Sequence, residues 1–264
     1  MLEYKGFDFE NYLKELDYYR YFPKFQLERH ADLIFKRFLP LILRELNFAT
    51  EICEVIPEFP ISNQLINPNC ENQMAISMDF LAIGKKNNKN IAIFIELKTD
   101  NSSSNGPQDS ALEKIHQKDD FLCLALKKLV EIYHKVPGNR RKYLALIFSL
   151  KKLGLLNFNP EWEKKVLEHK KCYKNLLPVF NSVNDKAEKF ISQVVKIVPS
   201  IVPSKDTKKN EFVTISFDQI SQIALKNGDK GSNDFEKFKK YLKKWATSPQ
   251  KSIWDFLPNS KLIG

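Results

Sequence analysis

A chain of 264 residues, 43% hydrophobic and 28% charged, can build a core without disulfide or metal staples, which excludes a disordered polymer and a disulfide-bonded miniature. Apolar runs such as 39–43 and 91–95 stop after a few residues, and residues 1–20 carry no apolar signal-peptide core, so the expectation is a soluble cytoplasmic protein with no membrane span. The net charge of +10 is uneven: residues 1–100 hold 12 basic against 15 acidic side chains and the remainder 30 against 17, which suits a polyanion such as nucleic acid or a solvated Lys-rich surface.

In chain order, residues 8–22 predict a short aromatic-rich helix. Lys24–Asn47 predicts a longer one, with Leu27, Ala31, Ile34, Phe38, Ile42 and Leu46 at helical spacing and Pro40 as a kink or break. Thr50–Ile61 reads as a strand bounded by Pro57 and Pro60. Met74–Ile83 and Asn90–Lys98 read as a β-hairpin around the turn cluster 84–89. A polar loop at 99–107 leads to an amphipathic helix over Gln108–Lys135, and the apolar run inside Lys142–Leu150 predicts a buried strand. Helices are expected at Pro160–Cys172 and Asp185–Gln193, strands at Val194–Val202 and Phe212–Phe217 around a turn at Lys205–Asn210, and a last helix at Asp234–Trp245. In that helix Phe235, Phe238, Leu242 and Trp245 form a core stripe, and Lys237, Lys240 and Lys244 a basic face.

The four cysteines have no C-x-x-C spacing and the four histidines no metal spacing, so no structural zinc is expected. Cys53 and Cys123 read as small buried hydrophobes, and the histidines as helix-surface residues. P-loop, dinucleotide-fold and α/β-hydrolase nucleophile motifs are absent.

Chemistry concentrates in the hairpin. Asp79 interrupts Ser77-Met78-Asp79-Phe80-Leu81, and Glu96 and Lys98 interrupt Phe94-Ile95-Glu96-Leu97-Lys98. Ionised groups in an apolar strand are costly unless paired or metal-bound. Alternation puts Glu96 and Lys98 on one face, and pairing Gly84 with Ile91 places Asp79 opposite Glu96. Two facing carboxylates suit a hard divalent cation such as Mg²⁺, with Mn²⁺ as a substitute; a cross-strand salt bridge is the other reading.

Asp79 followed by Glu96-Leu97-Lys98, in a helix-strand-strand-strand-helix-strand order over residues 24–150, resembles the PD-(D/E)XK nuclease superfamily, also called restriction-endonuclease-like. Met78 stands where the family name has Pro. The resemblance implies an α/β fold: an αβββαβ core with a mixed central sheet flanked by helices. Residues 1–23 would be an N-terminal helical extension, 24–150 the core, and 151–264 a basic C-terminal α/β extension of the same single domain. It implies Mg²⁺ bound by Asp79, Glu96 and the Leu97 carbonyl, with Lys98 assisting the attacking water. Glu28 is the match for a first-helix acid, Glu45 the second choice. Gln108, and more weakly Gln117, would touch metal-site water or phosphate. The implied activity is hydrolysis of nucleic acid, DNA foremost; the alternative is an inactive binding or regulatory module on the same fold.

Overall fold

A computed structural model describes residues 8–19, 27–69, 75–99, 112–116, 120–135, 140–158, 164, 180–200, 212–224 and 232–246. The expected helix at Pro160–Cys172 apart from residue 164, the turn at Lys205–Asn210, most of the 99–107 loop, Gln108, Gln117, Cys70, Cys172 and His169 lie outside these residues.

The protein is α/β, with an open five-stranded mixed sheet flanked by helices. Helices α1 (Phe9–Tyr19) and α2 (Leu27–Glu45) precede β1 (Glu51–Ser62), a one-turn helix α3 (Asn63–Ile66), β2 (Ala75–Lys86) and β3 (Lys89–Leu97). Then come a helical stretch at 112–116, α4 (Phe121–Lys135), α5 (Arg140–Lys152), a small ladder of β4 (Leu156–Phe158) with β5 (Phe180–Val183), β6 (Ile191–Val198), β7 (Val213–Ser216), α6 (Phe217–Ser221) and α7 (Ser232–Ala246). The main sheet has the order β1-β2-β3-β6-β7, antiparallel from β1 to β3 and parallel from β3 to β7. Both sides of residue 150 therefore supply strands to one sheet. No described helix is long and apolar enough to cross a membrane.

Each face of the sheet buries its own core. Ile91, Ile93, Ile95, Val195 and Ile197 pack on one side against α2, α6 and α7, while Ala92, Phe94 and Val194 pack on the other against α4 and α5. The stripe expected in the last helix is core: Phe238 stacks on Phe38 at 5.2 Å and meets Phe35 edge-on at 5.1 Å. Such pairs add about 0.5–1.5 kcal/mol each beyond burial. The basic face is partly spoken for. Lys237 pairs with Glu10 at 3.9 Å and Lys244 with Asp17 at 3.6 Å, two matches that step by seven residues in the same direction, so α1 and α7 run parallel.

Several sequence expectations change. The stretch Lys142–Leu150 is helix, not strand, and the strand that joins the sheet beside β3 is Ile191–Val198. A short apolar run has no period to separate the two states. Among the described side chains of α5, Ile147 and Leu150 are buried, while Ala145 and Ser149 are exposed. Gly154, at φ 71°, ends the helix in a Schellman motif: its N–H donates to Lys151 O (2.7 Å) and Leu155 N–H to Leu150 O (3.0 Å). The expected helix at Asp185–Gln193 is a five-residue 3₁₀ turn, Asp185–Lys189, before β6. One helix runs through Pro40 without splitting, and β1 runs through Pro57 and Pro60, which an edge strand tolerates.

The hairpin turn is tighter than the 84–89 cluster implied. Pairing continues to Lys86↔Lys89, leaving Asn87-Asn88 at φ 49° and 63°, the left-handed pair a type I′ turn requires. Gly84 thus lies inside β2, opposite a bulge in β1 where the register slips between Ile52 and Glu54. Cys53 is the extra residue of that bulge and is exposed, contrary to the buried role expected; Cys123 is buried as expected. A Cβ on Gly84 would fall 2.1 Å from the Glu51 carbonyl oxygen, a backbone atom with no side-chain freedom to yield. Gly84→Ala is expected to lower stability by about 1–3 kcal/mol, read as a lower urea midpoint at unchanged slope.

Candidate functional site

The β2–β3 register pairs Gly84 with Ile91, the condition on which Asp79 would stand opposite Glu96, and runs regularly to Phe80↔Ile95; Asp79 and Glu96 are the next positions. There the pleat of the outer strands breaks. Leu81 and Met78, three residues apart, share one core, as do Ile56 and Phe59 of β1, so alternation shifts between them. Glu58, the β1 position facing Asp79, has φ 51°, which is strained for a side chain of its kind.

This break gives Asp79 its role. Successive backbone groups of a strand face opposite neighbours, and Lys98 N–H donates to Ile197 O of β6 at 2.8 Å, so the N–H and C=O of Leu97 face β2. Leu97 N–H donates to Asp79 Oδ2 at 2.5 Å: a carboxylate receives the N–H at the position beyond the last regular rung. The same geometry turns the Leu97 carbonyl toward the β2 side, next to the strand position of Asp79.

Glu96 and Lys98 lie on the α4 side of β3 by alternation with Phe94. They are 2% and 6% exposed, and Lys98 Nζ is 2.7 Å from Glu96 Oε1. Buried charges survive in a central strand only when they compensate one another. The structure therefore joins Asp79 to the backbone of Leu97 and Glu96 to Lys98, at three consecutive positions of the chain. Glu28 lies on α2, with its side chain outside the described part, and Glu45 is exposed at the end of α2, paired with Arg44 at 3.0 Å. His30 and His116 are exposed on helices, as expected.

One residue of the cluster was not singled out from the sequence. Lys196, on β6, is the register partner of Glu96 and is only 8% exposed. Its signal was legible: it interrupts Val194-Val195-Lys196-Ile197-Val198 just as Glu96 interrupts β3. Beyond the pleat break, a groove of about 500 Å³ is lined by Pro57, Glu58, Pro60, Ser77, Tyr143 and Leu146, where Ser77 Oγ–H donates to Glu58 Oε2 at 2.7 Å. Burial raises the Tyr143 phenol above its ordinary range.

Among the described residues no three His, Cys, Asp or Glu side chains gather as a metal-ligand group. The donors present, two carboxylates and a backbone carbonyl, are all oxygen. That set fits Mg²⁺, which is held by one or two carboxylates with water and substrate completing its shell, and does not fit zinc. No family model matches the chain, and neither do any curated protein or solved structure.

Lys98→Met, which leaves Glu96 buried without this partner, is expected to destabilise the fold by about 3 kcal/mol, and Glu96→Gln/Lys98→Met to recover most of that loss. Urea unfolding of the four chains of this double-mutant cycle is the check.

Proposed function

We propose that the chain is a Mg²⁺-dependent nuclease that hydrolyses phosphodiester bonds in DNA, on a restriction-endonuclease-like core. The observation that carries this reading is the Asp79 carboxylate bound to the backbone of Leu97, between the buried Glu96 and Lys98. The order α2, β1, β2, β3, α4 and then β6 parallel to β3 supports the αβββαβ core, with Ile191–Val198 as its last strand. The site lies at the C-terminal end of β3, where ligands bind in open α/β sheets.

Asp79, Glu96 and the Leu97 carbonyl would hold the cation. When bound, Mg²⁺ supplies Lewis-acid polarisation of a phosphate oxygen and acidifies water. The protein supplies position and charge. Asp79 is fixed by the Leu97 N–H, so its carboxylate needs no reorganisation when substrate arrives. Glu96 holds the Lys98 ammonium on the face where the phosphate would sit. From there Lys98 orients the attacking water or donates to the phosphate oxygen on which charge develops. The sheet floor and its apolar flanks keep the local dielectric low, which strengthens each of these interactions. The basic excess beyond residue 100 would hold the nucleic-acid backbone, although Lys237 and Lys244 already pair with α1.

The ion pair of Glu96 with Lys98 also favours a second reading, a module that binds DNA through the same fold without cutting it. Incubation of plasmid and single-stranded DNA with the protein and Mg²⁺ separates the two. Cleavage is expected, lost with EDTA and reduced at least about 10²-fold in Asp79→Ala and in Lys98→Ala. Full activity in both variants would overturn the assignment, and salt-dependent binding with neither cleavage nor metal uptake would assign the module.

A further inference from the structure

We propose that Lys196 is a second substrate-contacting lysine, whose ammonium binds a non-bridging phosphate oxygen of a DNA backbone seated over Glu96 and Lys98; this rests on the nuclease reading of that site.

Three observations lead to it. Register places Glu96, Lys196 and Thr214 side by side on β3, β6 and β7, so one row across three strands runs from a carboxylate to an ammonium to a hydroxyl, and Asp79 of β2 accepts the N–H of Leu97 beside it. Lys196 is 8% exposed in a strand whose neighbouring positions are Val195 and Ile197, a placement that a merely solvated lysine does not adopt. The charge count also matters. Asp79, Glu96, Lys98 and Lys196 together are neutral, so a divalent cation held by the two carboxylates leaves a surplus of positive charge that a phosphodiester can match. Lysine suits this task because its ammonium is a compact point charge on a flexible stem.

A backbone laid along the row would meet Glu96 at β3 and the ammonium at β6. Lys98 and Lys196 then divide the work. Lys98, two residues beyond Glu96 and just past the end of β3, serves the reacting oxygen, and Lys196, on the neighbouring strand, anchors the phosphate by charge.

The test uses the full chain and a labelled DNA duplex at fixed Mg²⁺, with binding titrated in potassium chloride. Glu96→Gln serves as background, so that affinity is read without cutting. Adding Lys196→Met is expected to reduce the slope of log affinity against log salt by about 0.9, the value for one lost phosphate contact, and to weaken low-salt binding about tenfold. Adding Lys196→Gln should do the same, and adding Lys196→Arg should preserve the slope. Thermal unfolding establishes that each variant is folded, and the neutral variant that folds is the one read. An equal slope with and without Lys196, or no DNA binding by the Glu96→Gln chain at low salt, overturns the proposal. Cleavage by the unaltered chain is scored separately. Its absence with the slope change intact removes the nuclease reading, while its presence with an unchanged slope removes only the role of Lys196.

Discussion

Glu96, in the middle strand of the sheet, and Lys98, one residue past its end, form an ion pair with almost no exposure. Taking either out of water alone would cost several kcal/mol, an amount comparable to the whole stability of a typical domain. Their 2.7 Å contact is what makes β3 tolerable as a central strand, and the strands around it are arranged to suit. Lys196 of β6 lies alongside Glu96, and Asp79 of β2 holds the backbone between Glu96 and Lys98. A protein that needed only a stable sheet would fill these positions with Val or Ile, as it does at Ile93, Ile95, Val195 and Ile197. A polar cluster in so buried a strand is the feature on which the proposed function rests.

The irregularities of the fold serve the same place. Regular alternation in β1 and β2 would run unbroken past the site. The strained backbone at Glu58 and the three-residue step from Leu81 to Met78 instead shift the pleat where Asp79 must reach Leu97. Farther along the same strands the bulge at Cys53, accommodated by Gly84, adds a second bend. Bulges and strained residues of this kind re-aim side chains near functional sites. The long cores on both faces supply the rigidity against which these distortions are held.

Charge is distributed with equal economy. The basic excess of the C-terminal part is not a uniform surface for a polyanion, since Lys237 and Lys244 lock α7 to the acidic face of α1. That pairing joins the two ends of the described chain through matched seven-residue steps. Among the described residues beyond 150, Lys196 is the lysine that the sheet register sets beside Glu96.

Much of this was legible without coordinates because it depends on local patterns. Hydrophobic period marked α2 and α7, and two β-branched apolar runs around a turn cluster marked the hairpin. The same pattern singled out Asp79, Glu96 and Lys98, because a charge inside an apolar strand is visible in one dimension. What could not be read is whatever depends on partners distant in sequence. The run 143–148 is apolar enough for either state, and only the space against Ala125, Leu126 and their neighbours makes it a helix. Lys196 sits 100 positions beyond Glu96, and nothing local says that β6 lies parallel to β3 in that register. Sequence by itself determined which residues carry charge into the core, since burial of a strand is written in its composition. Tertiary structure alone decided which of those charges meet, since strand pairing is a choice among distant segments made by the packing of the whole sheet.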